Sequence, residues 1–240
     1  MSNLSFITEE KKEENTDIPL LGLSPKVLKK AALTNYPNPI SKTLHSLTDE
    51  EKIAKVEKHL REVLEILGLN LEDDSIAHTS YRIAKMYVKE IFSGLNPDNF
   101  PSLCFIEDSS VRDSDQMIVI KNISMKSTCE HHFVPMVGHC HVAYIPNKKV
   151  IGLSKINRIV RFHCQKPQIQ ERLTAQIVDT LKTVLDTQDV AVFVKLKHFC
   201  VTMRGVEDEQ STTETTLFKG RIKTEPNFRQ EFLLKIGSTP

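Results

Sequence analysis

The stretch STCEHH at residues 127–132 and the shorter stretch HFC at residues 198–200 carry the densest cysteine and histidine chemistry in the chain. Cys129 and His132 are three positions apart, a spacing at which a tight turn can point both side chains at one ion. Zinc prefers cysteine and histidine ligands and usually binds four ligands in a tetrahedron. The fold is therefore expected to bring the two stretches together around one zinc ion.

The HFC stretch is predicted to continue a strand that begins near Asp189. Side chains at alternate positions of a strand share a face. His198 and Cys200 should therefore point the same way, while Phe199 between them enters the core.

Three ligands from the two stretches would leave one coordination position for water, which is the arrangement of catalytic zinc sites. The predicted ligands are Cys129, His132 and Cys200, and two further histidines, His131 and His198, flank them. His139 and His141 form a rival pair, although packing within a dense β segment explains them more simply. Isolated cysteines and histidines are more often core residues than ligands, so the spacing alone leaves both interpretations open.

The composition is that of a globular protein and excludes several classes. Of 240 residues, 40% are hydrophobic and 26% are charged, and the net charge of +1 gives no electrostatic reason to expect a nucleic acid or an anionic membrane as partner. No apolar run approaches the roughly 20 residues that a membrane helix needs, and residues 1–15 lack the apolar core of a secretory signal. The five cysteines show no disulfide pattern, which indicates a reducing, cytoplasmic compartment.

Three regions are expected along the chain. Residues 1–44 are rich in proline and charge and are predicted to form a tail, flexible or partly helical. Residues 45–115 form an N-terminal helical region, in which Thr48 and Glu51 have the spacing of a capping box. Residues 116–240 form the main domain.

The main domain alternates strand and helix patterns, which predicts an α+β fold. Strands are predicted over residues 116–123, 138–145, 189–196 and 212–218, and a turn at 146–148 should fold residues 150–151 back as a hairpin. Helices are predicted after residue 153 and from Pro167 to about residue 185. Residues 228–236 fit a helix or a strand equally well.

A second cluster of residues suits an anionic ligand. Ser154, Lys155 and Arg158 lie within one turn of a predicted helix start, where free N–H groups and the helix dipole favour a phosphate. A solvated basic helix explains them equally well. Arg204 follows Cys200 closely, and Glu171 stands early in the next helix, where a surface glutamate is the simpler interpretation.

Several blocks in the same order resemble the GTP cyclohydrolase I family, and its bacterial branch most closely. The blocks are STCEHHFV at 127–134, VAYIP at 142–146, IGLSKINRIV at 151–160, QERLT at 170–174, HFC at 198–200 and MRG at 203–205. The resemblance implies the tunnelling fold, an antiparallel sheet with helices packed on one face, whose subunits form β-barrel rings. It also implies a homodecamer of two pentamers with active sites at subunit junctions, and it makes residues 116–240 the catalytic domain.

The resemblance further implies a role for each site residue. It assigns the zinc ligands to Cys129, His132 and Cys200, and the catalytic roles to His131, His198 and Ser154. It assigns substrate binding to Glu171 and Gln170 at the guanine, to Ser154, Lys155, Arg158 and Arg204 at the triphosphate, and to Arg82 from a neighbouring subunit. The implied reaction converts GTP to 7,8-dihydroneopterin triphosphate and formate, the first step of tetrahydrofolate and pterin biosynthesis.

Two other functions remain open beside this one. The chain could be a zinc-stabilised nucleotide-binding regulatory module without turnover, or a tunnelling-fold enzyme that acts on another purine or pterin. A feedback regulatory protein as partner is also left open.

Overall fold

A five-stranded sheet forms the centre of the protein in a computed structural model that describes residues 23–41, 47–107 and 115–237. Its strands are β2 (Ile118–Cys129), β3 (Pro135–Tyr144), β5 (Pro167–Gln168), β6 (Val190–His198) and β7 (Thr213–Phe218). They lie in the order β5-β2-β3-β6-β7, antiparallel throughout except that β5 runs parallel to β2. The remaining strands, β1 (Phe105–Glu107) and β4 (Lys149–Ile151), form a separate antiparallel pair.

The helices are α1 (Pro25–Leu33), α2 (Asp49–Ile66), α3 (Thr79–Met86), α4 (Leu153–Cys164), α5 (Gln170–Leu185), α6 (Phe199–Thr202), α7 (Gly220–Thr224) and α8 (Pro226–Gly237). After α3 the chain continues in a π-helical turn, Tyr87–Ile91, and two 3-10 turns, Ser93–Leu95 and Pro97–Asn99. None of the helices within the described ranges is long and apolar enough to cross a membrane.

Side chains on one face of the sheet meet α4 and α5 and form the main core. On β3, Cys140, Val142 and Tyr144 point to this side, and all three are fully buried. The alternate positions, such as Ala143, belong to a smaller core on the other face with Phe232 of α8. The predicted α+β class is confirmed, and α7 and α8 cover part of the face opposite the main helices.

Two predicted features of the helices are resolved by the structure. Thr48 and Glu51 form the capping box at the start of α2, since the Thr48 hydroxyl accepts from the Glu51 amide at 3.2 Å and the Glu51 carboxylate accepts from the Thr48 amide at 2.7 Å. Residues 228–236, for which the sequence left two options open, are helical and lie in α8.

Three sequence predictions are wrong in detail. Residues 150–151 do not form a hairpin with β3, because β2 and β6 already occupy both edges of β3, and β4 pairs with β1 instead. Pro167 does not start a helix, because Pro167–Gln168 pairs with the end of β2 and α5 begins two residues later. The strand predicted to reach Cys200 ends at His198, where the chain enters α6.

The described part of the predicted tail, residues 23–41, packs against α5. Ala31 and Ala32 of α1 are buried, and the Asn35 backbone and side-chain amides donate to the two carboxylate oxygens of Asp179 at 2.8 and 2.9 Å. Residues 1–22 lie outside the described residues. The division of the chain at residues 44 and 115 stays a prediction.

A buried polar chain lies beneath α1. The Thr180 hydroxyl donates to the Ala31 carbonyl at 2.7 Å, so it must accept from Nε2 of His163 at 2.8 Å, and Nδ1 of His163 then accepts from the Lys166 amine at 3.4 Å. The Lys166 nitrogen also lies 4.2 Å from the centre of the Phe162 ring. Burial lowers the pKa of Lys166 to about 7, and burial together with the nearby Lys166 holds the pKa of His163 well below its usual range.

The stability of the protein should depend on pH through the buried amine of Lys166. Above pH 7 the folded Lys166 amine is mostly neutral, whereas the unfolded lysine keeps its proton up to its ordinary pKa of 10.5. The unfolded state then binds more protons, so the free energy of unfolding of the wild type should rise relative to Lys166→Met by up to about 1.4 kcal/mol per pH unit between pH 7.5 and 9. Below pH 7 the folded state must bury the charged amine, and Lys166→Met should be the more stable protein.

Urea unfolding at fixed protein concentration, from pH 6 to 9, measures both effects. Lys85→Met, which removes an exposed lysine of α3, is the control. Its free energy of unfolding should change with pH as that of the wild type does. Parallel profiles for the wild type and Lys166→Met would contradict the prediction.

Candidate active site

The turn between β2 and β3 presents two of the predicted metal ligands. The Cys129 amide donates to the Val134 carbonyl at 2.9 Å, and the Phe133 amide donates to the Cys129 carbonyl at 2.9 Å. Phe133 has a φ of 53°, in the left-handed region, which turns the chain sharply into β3. We call residues 129–133 the metal turn, and it places Cys129 at its buried start and His132 on its exposed side.

The third predicted ligand comes from the end of β6. Met136, near the start of β3, pairs with His198, the last residue of β6, so the metal turn and the start of α6 lie at the same end of the sheet. The ligand atoms of Cys129, His132 and Cys200 all lie within 4.8 Å of one another. The predicted trio is thus brought together, although Cys200 reaches it from a helical turn rather than from a strand.

Two thiols and one imidazole are a donor set that suits zinc. Thiolate sulfur and imidazole nitrogen are preferred by zinc, whereas magnesium and calcium take oxygen ligands. Burial, followed by the adjacent Cys129 thiol, raises the pKa of Cys200. Two adjacent thiolates are costly to form without a counter-charge. A metal cation bound to both sulfurs would offset this cost and stabilise both cysteines as thiolates.

Arg204 contacts His132 in the same cluster. Its guanidinium Nη1 lies 3.0 Å from Nε2 of His132 and can only donate, so Nε2 is the acceptor. A neutral imidazole has a single free nitrogen lone pair. Metal ligation by His132 and the hydrogen bond from Arg204 are therefore mutually exclusive, and ligation releases the guanidinium.

The two flanking histidines differ in their surroundings. His131 is exposed, and its Nδ1 lies 3.9 Å from the Cys129 sulfur. His198 is half-buried, and its Nε2 lies 2.7 Å from Oε1 of Gln170. Burial lowers the pKa of His198, and the negative charge of Glu171 partly opposes this.

Gln170 determines which nitrogen of His198 carries the proton. The Gln170 amide nitrogen donates to the carbonyls of Val194 and Thr213 at 3.2 and 2.9 Å, and to the Thr215 hydroxyl at 3.2 Å. The amide oxygen is thereby directed at His198, which must donate from Nε2 in its neutral form and keeps Nδ1 free to accept. Gln170 is fully buried, and its polar atoms bind the protein itself.

Other predicted residues lie on α3 and α4, outside the metal turn. Ser154, Lys155 and Arg158 begin α4, whose other end contacts the site region through the Ser127 hydroxyl, 2.9 Å from the Cys164 carbonyl. A helix of 12 residues is about 18 Å long. Arg82 is exposed on α3.

An ion pair that the sequence analysis did not predict connects the metal turn to α5. Arg172, in the first turns of α5, binds the Glu130 carboxylate through its guanidinium. The Glu130 amide donates to the Gln168 carbonyl at 3.0 Å. The sequence argument considered only cysteine and histidine as metal ligands, so it did not consider this ion pair. The one signal in the sequence is that Glu130 directly follows the predicted ligand Cys129.

Known proteins of one family are similar to this chain over most of its length. The family model described as GTP cyclohydrolase I matches residues 56–237. A protein of Aeromonas salmonicida named GTP cyclohydrolase 1 is 54% identical over 189 residues, which cover 79% of this chain and 86% of the relative. Proteins of the same name from Edwardsiella ictaluri and Shewanella loihica are 53% and 52% identical over 187 residues, with 78% of this chain and 84% and 86% of the relatives covered. The family model and these relatives span most of the chain, which therefore belongs to the GTP cyclohydrolase I family.

Proposed function

We propose that this chain is a zinc-dependent GTP cyclohydrolase I, which converts GTP to 7,8-dihydroneopterin triphosphate and formate. The observation that carries the proposal is the approach of Cys129, His132 and Cys200 within 4.8 Å, with His131 and His198 beside them, in a chain whose relatives are named GTP cyclohydrolase 1. A site with three protein ligands keeps a position open for water, as catalytic zinc sites do.

When bound, the zinc ion supplies Lewis-acid activation of water near neutral pH. In the overall reaction water adds at C8 of the guanine, the imidazole ring opens, and hydrolysis removes C8 as formate. The ribose carbons then close onto the freed amine to form the pterin ring. These steps require proton transfers at N7 of the purine and at the ribose ring oxygen.

His198 and His131 are the proposed proton carriers. His198 keeps its Nε2 proton on Gln170, so the proton that it exchanges with N7 of the purine is carried on Nδ1 of the imidazolium form. The lowered pKa of His198 favours release of that second proton as the ring opens. Exposed His131, next to the ligand His132, is assigned to the ribose ring oxygen, with Ser154 assisting. The side chain of Gln170 fixes the orientation of His198, and the assignment of Gln170 to the guanine site beside Glu171 is kept in this proposal.

The substrate is held at its two ends. The carboxylate of Glu171 can accept from N1–H and the exocyclic amine of guanine, and Glu171 lies next to Gln170 on the exposed side of α5. Metal ligation by His132 releases Arg204, which is then available to the triphosphate. The start of α4 supplies Ser154, Lys155 and Arg158 for the same group.

The phosphate residues of α4 and Arg82 reach the metal centre of a neighbouring subunit in the proposed homodecamer. One observation favours this arrangement: within one chain, the start of α4 lies a helix length of about 18 Å from the end that contacts the site region. The proposed assembly is two pentamers face to face, with each site at a subunit junction. We place the enzyme in the cytoplasm, in agreement with its unpaired cysteines.

Variants of the metal centre separate ligand from proton carrier. Cys200→Ser should lose bound zinc, since it removes one of three ligands, and should lose GTP turnover with it. His198→Ala should retain zinc and lose turnover by a factor on the order of 10² to 10⁴. Zinc analysis and a formate release assay measure the two quantities. If His198→Ala were purified without zinc, His198 would be a metal ligand and its assigned role would be wrong. If the zinc-loaded wild type released no formate, the chain would instead be a regulatory module without turnover.

Glu171→Ala tests recognition of the guanine edge. A substrate site built to bind a hydrogen-bond donor strongly rejects an analogue that lacks it. The wild type should therefore prefer GTP over ITP, which lacks the exocyclic amine, and Glu171→Ala should lose about tenfold or more of this preference in kcat/KM. Lys182→Ala, farther along α5, is the control. An unchanged preference would exclude Glu171 from the base site.

Mixed oligomers test whether sites are shared between subunits. Arg82→Ala and Cys200→Ser proteins should each be inactive, because each site lacks one component. After dissociation and reassembly of an equal mixture, about a quarter of the sites should combine an intact Arg82 with an intact metal centre, if the two come from different subunits. Activity that does not recover would place both groups in one subunit.

A further inference from the structure

Three buried side-chain amides form a closed ring beneath the N-terminal segment. Asn38 donates to Oε1 of Gln168 at 3.4 Å, Gln168 donates to Oε1 of Gln176 at 2.7 Å, and Gln176 donates to Oδ1 of Asn38 at 2.9 Å. Each amide is thus a donor and an acceptor within the ring. All three residues belong to the buried polar group, and Gln168 is completely buried.

The remaining hydrogens of the ring bind backbone carbonyls. Asn38 donates to the Pro167 carbonyl at 2.7 Å, Gln168 to the His163 carbonyl at 2.9 Å, and Gln176 to the Tyr36 carbonyl at 2.7 Å. The ring therefore ties the N-terminal segment to the end of α4, to β5 and to α5. Buried networks of this kind are rigid when every member is bonded and costly when one member is missing.

Gln168 connects the ring to the metal turn in two ways. Its backbone carbonyl accepts from the Glu130 amide at 3.0 Å, in the parallel pairing that sets Cys129 opposite Gln168. Its side-chain oxygen accepts from Nε of Arg172 at 3.2 Å, and the other end of that guanidinium binds the Glu130 carboxylate. Glu130 lies directly between Cys129 and the histidine pair, so both links act next to a proposed ligand.

Asn38 lies outside the part of the chain that matches the family model, which begins at residue 56. The segment that carries Asn38 is nevertheless firmly attached. Ala31 of α1 is completely buried and its carbonyl accepts from Thr180, while Asn35 is bound to Asp179. Asn35 belongs to the same segment as Asn38 but makes no contact with the amide ring among the described hydrogen bonds, which makes it a matched control.

We propose that Asn38 is a positioning residue for the metal centre: through the amide ring it fixes Gln168 and Arg172, which hold Glu130 and thereby the metal turn. The inference rests on the metal site proposed above. It gives the N-terminal segment a part in the active site, although the described residues 23–41 supply none of the proposed metal ligands. Residues that orient metal ligands from behind typically change metal affinity or activity by 10- to 100-fold.

The test compares Asn38→Ala with Asn35→Ala in the full-length protein. Removal of the Asn38 side chain takes one donor each from the Pro167 carbonyl and the Gln168 side-chain oxygen, and leaves one hydrogen of the Gln176 amide without its acceptor. The β5 end and Arg172 should then lose their fixed positions. We expect Asn38→Ala to release zinc to a chromogenic chelator about tenfold faster than the wild type. Asn35→Ala should release zinc at the wild-type rate, even if it lowers the melting temperature as much as Asn38→Ala does.

A second measurement does not depend on the metal. In metal-free protein, hydrogen exchange of residues 129–134 should be about tenfold faster in Asn38→Ala than in Asn35→Ala, because the Glu130 amide loses a stable acceptor in Gln168. If the wild type binds no zinc, the proposed function fails, while the exchange measurement still decides the role of Asn38.

Two results would overturn the proposal. One is equal exchange and equal zinc release in Asn38→Ala and Asn35→Ala, which would reduce Asn38 to a general anchor of the segment. The other is wild-type behaviour of Arg172→Met, which cuts the link between Gln168 and the Glu130 carboxylate without touching the N-terminal segment. Arg172→Met also carries the test if Asn38→Ala does not fold.

Discussion

The pairing of β3 with both β2 and β6 is the constraint on which the rest of the structure depends. Because both edges of β3 are occupied, the metal turn at its start and the last residue of β6 must lie at the same end of the sheet. The register sets Met136 opposite His198, and α6 then brings Cys200 to the turn. Two stretches distant in sequence thus meet through ordinary backbone hydrogen bonds of the sheet.

The sequence predicted much of this site, because metal chemistry restricts residue type and spacing. Cys129 and His132 followed from their separation by one tight turn, and Cys200 lies with them in the structure, although the strand argument that led to Cys200 was wrong. A period-two pattern cannot show where a strand ends, and here it ends one residue after Lys197. The hairpin predicted for residues 150–151 failed for a related reason, since strand pairing depends on which edges are already filled.

The supporting residues could not be predicted, because each acts through contacts between distant segments. The resemblance assigned Gln170 to the substrate together with Glu171, but it gave no sign that the Gln170 amide binds β6, β7 and His198. Asn38 stood in a stretch whose prolines indicated a tail. Buried amides carry no local signature, since glutamine and asparagine are usually exposed, and only the folded chain shows that their hydrogens are all used.

The first turn of α5 holds two separate parts of the candidate active site. Gln170 binds His198, and two positions later Arg172 binds Glu130 of the metal turn. Neighbouring residues of a helix keep nearly constant distances from one another, so a thermal displacement of α5 as a body carries the imidazole and the turn in the same direction. The fluctuations of the two groups are therefore correlated, and their separation is steadier than the position of either one.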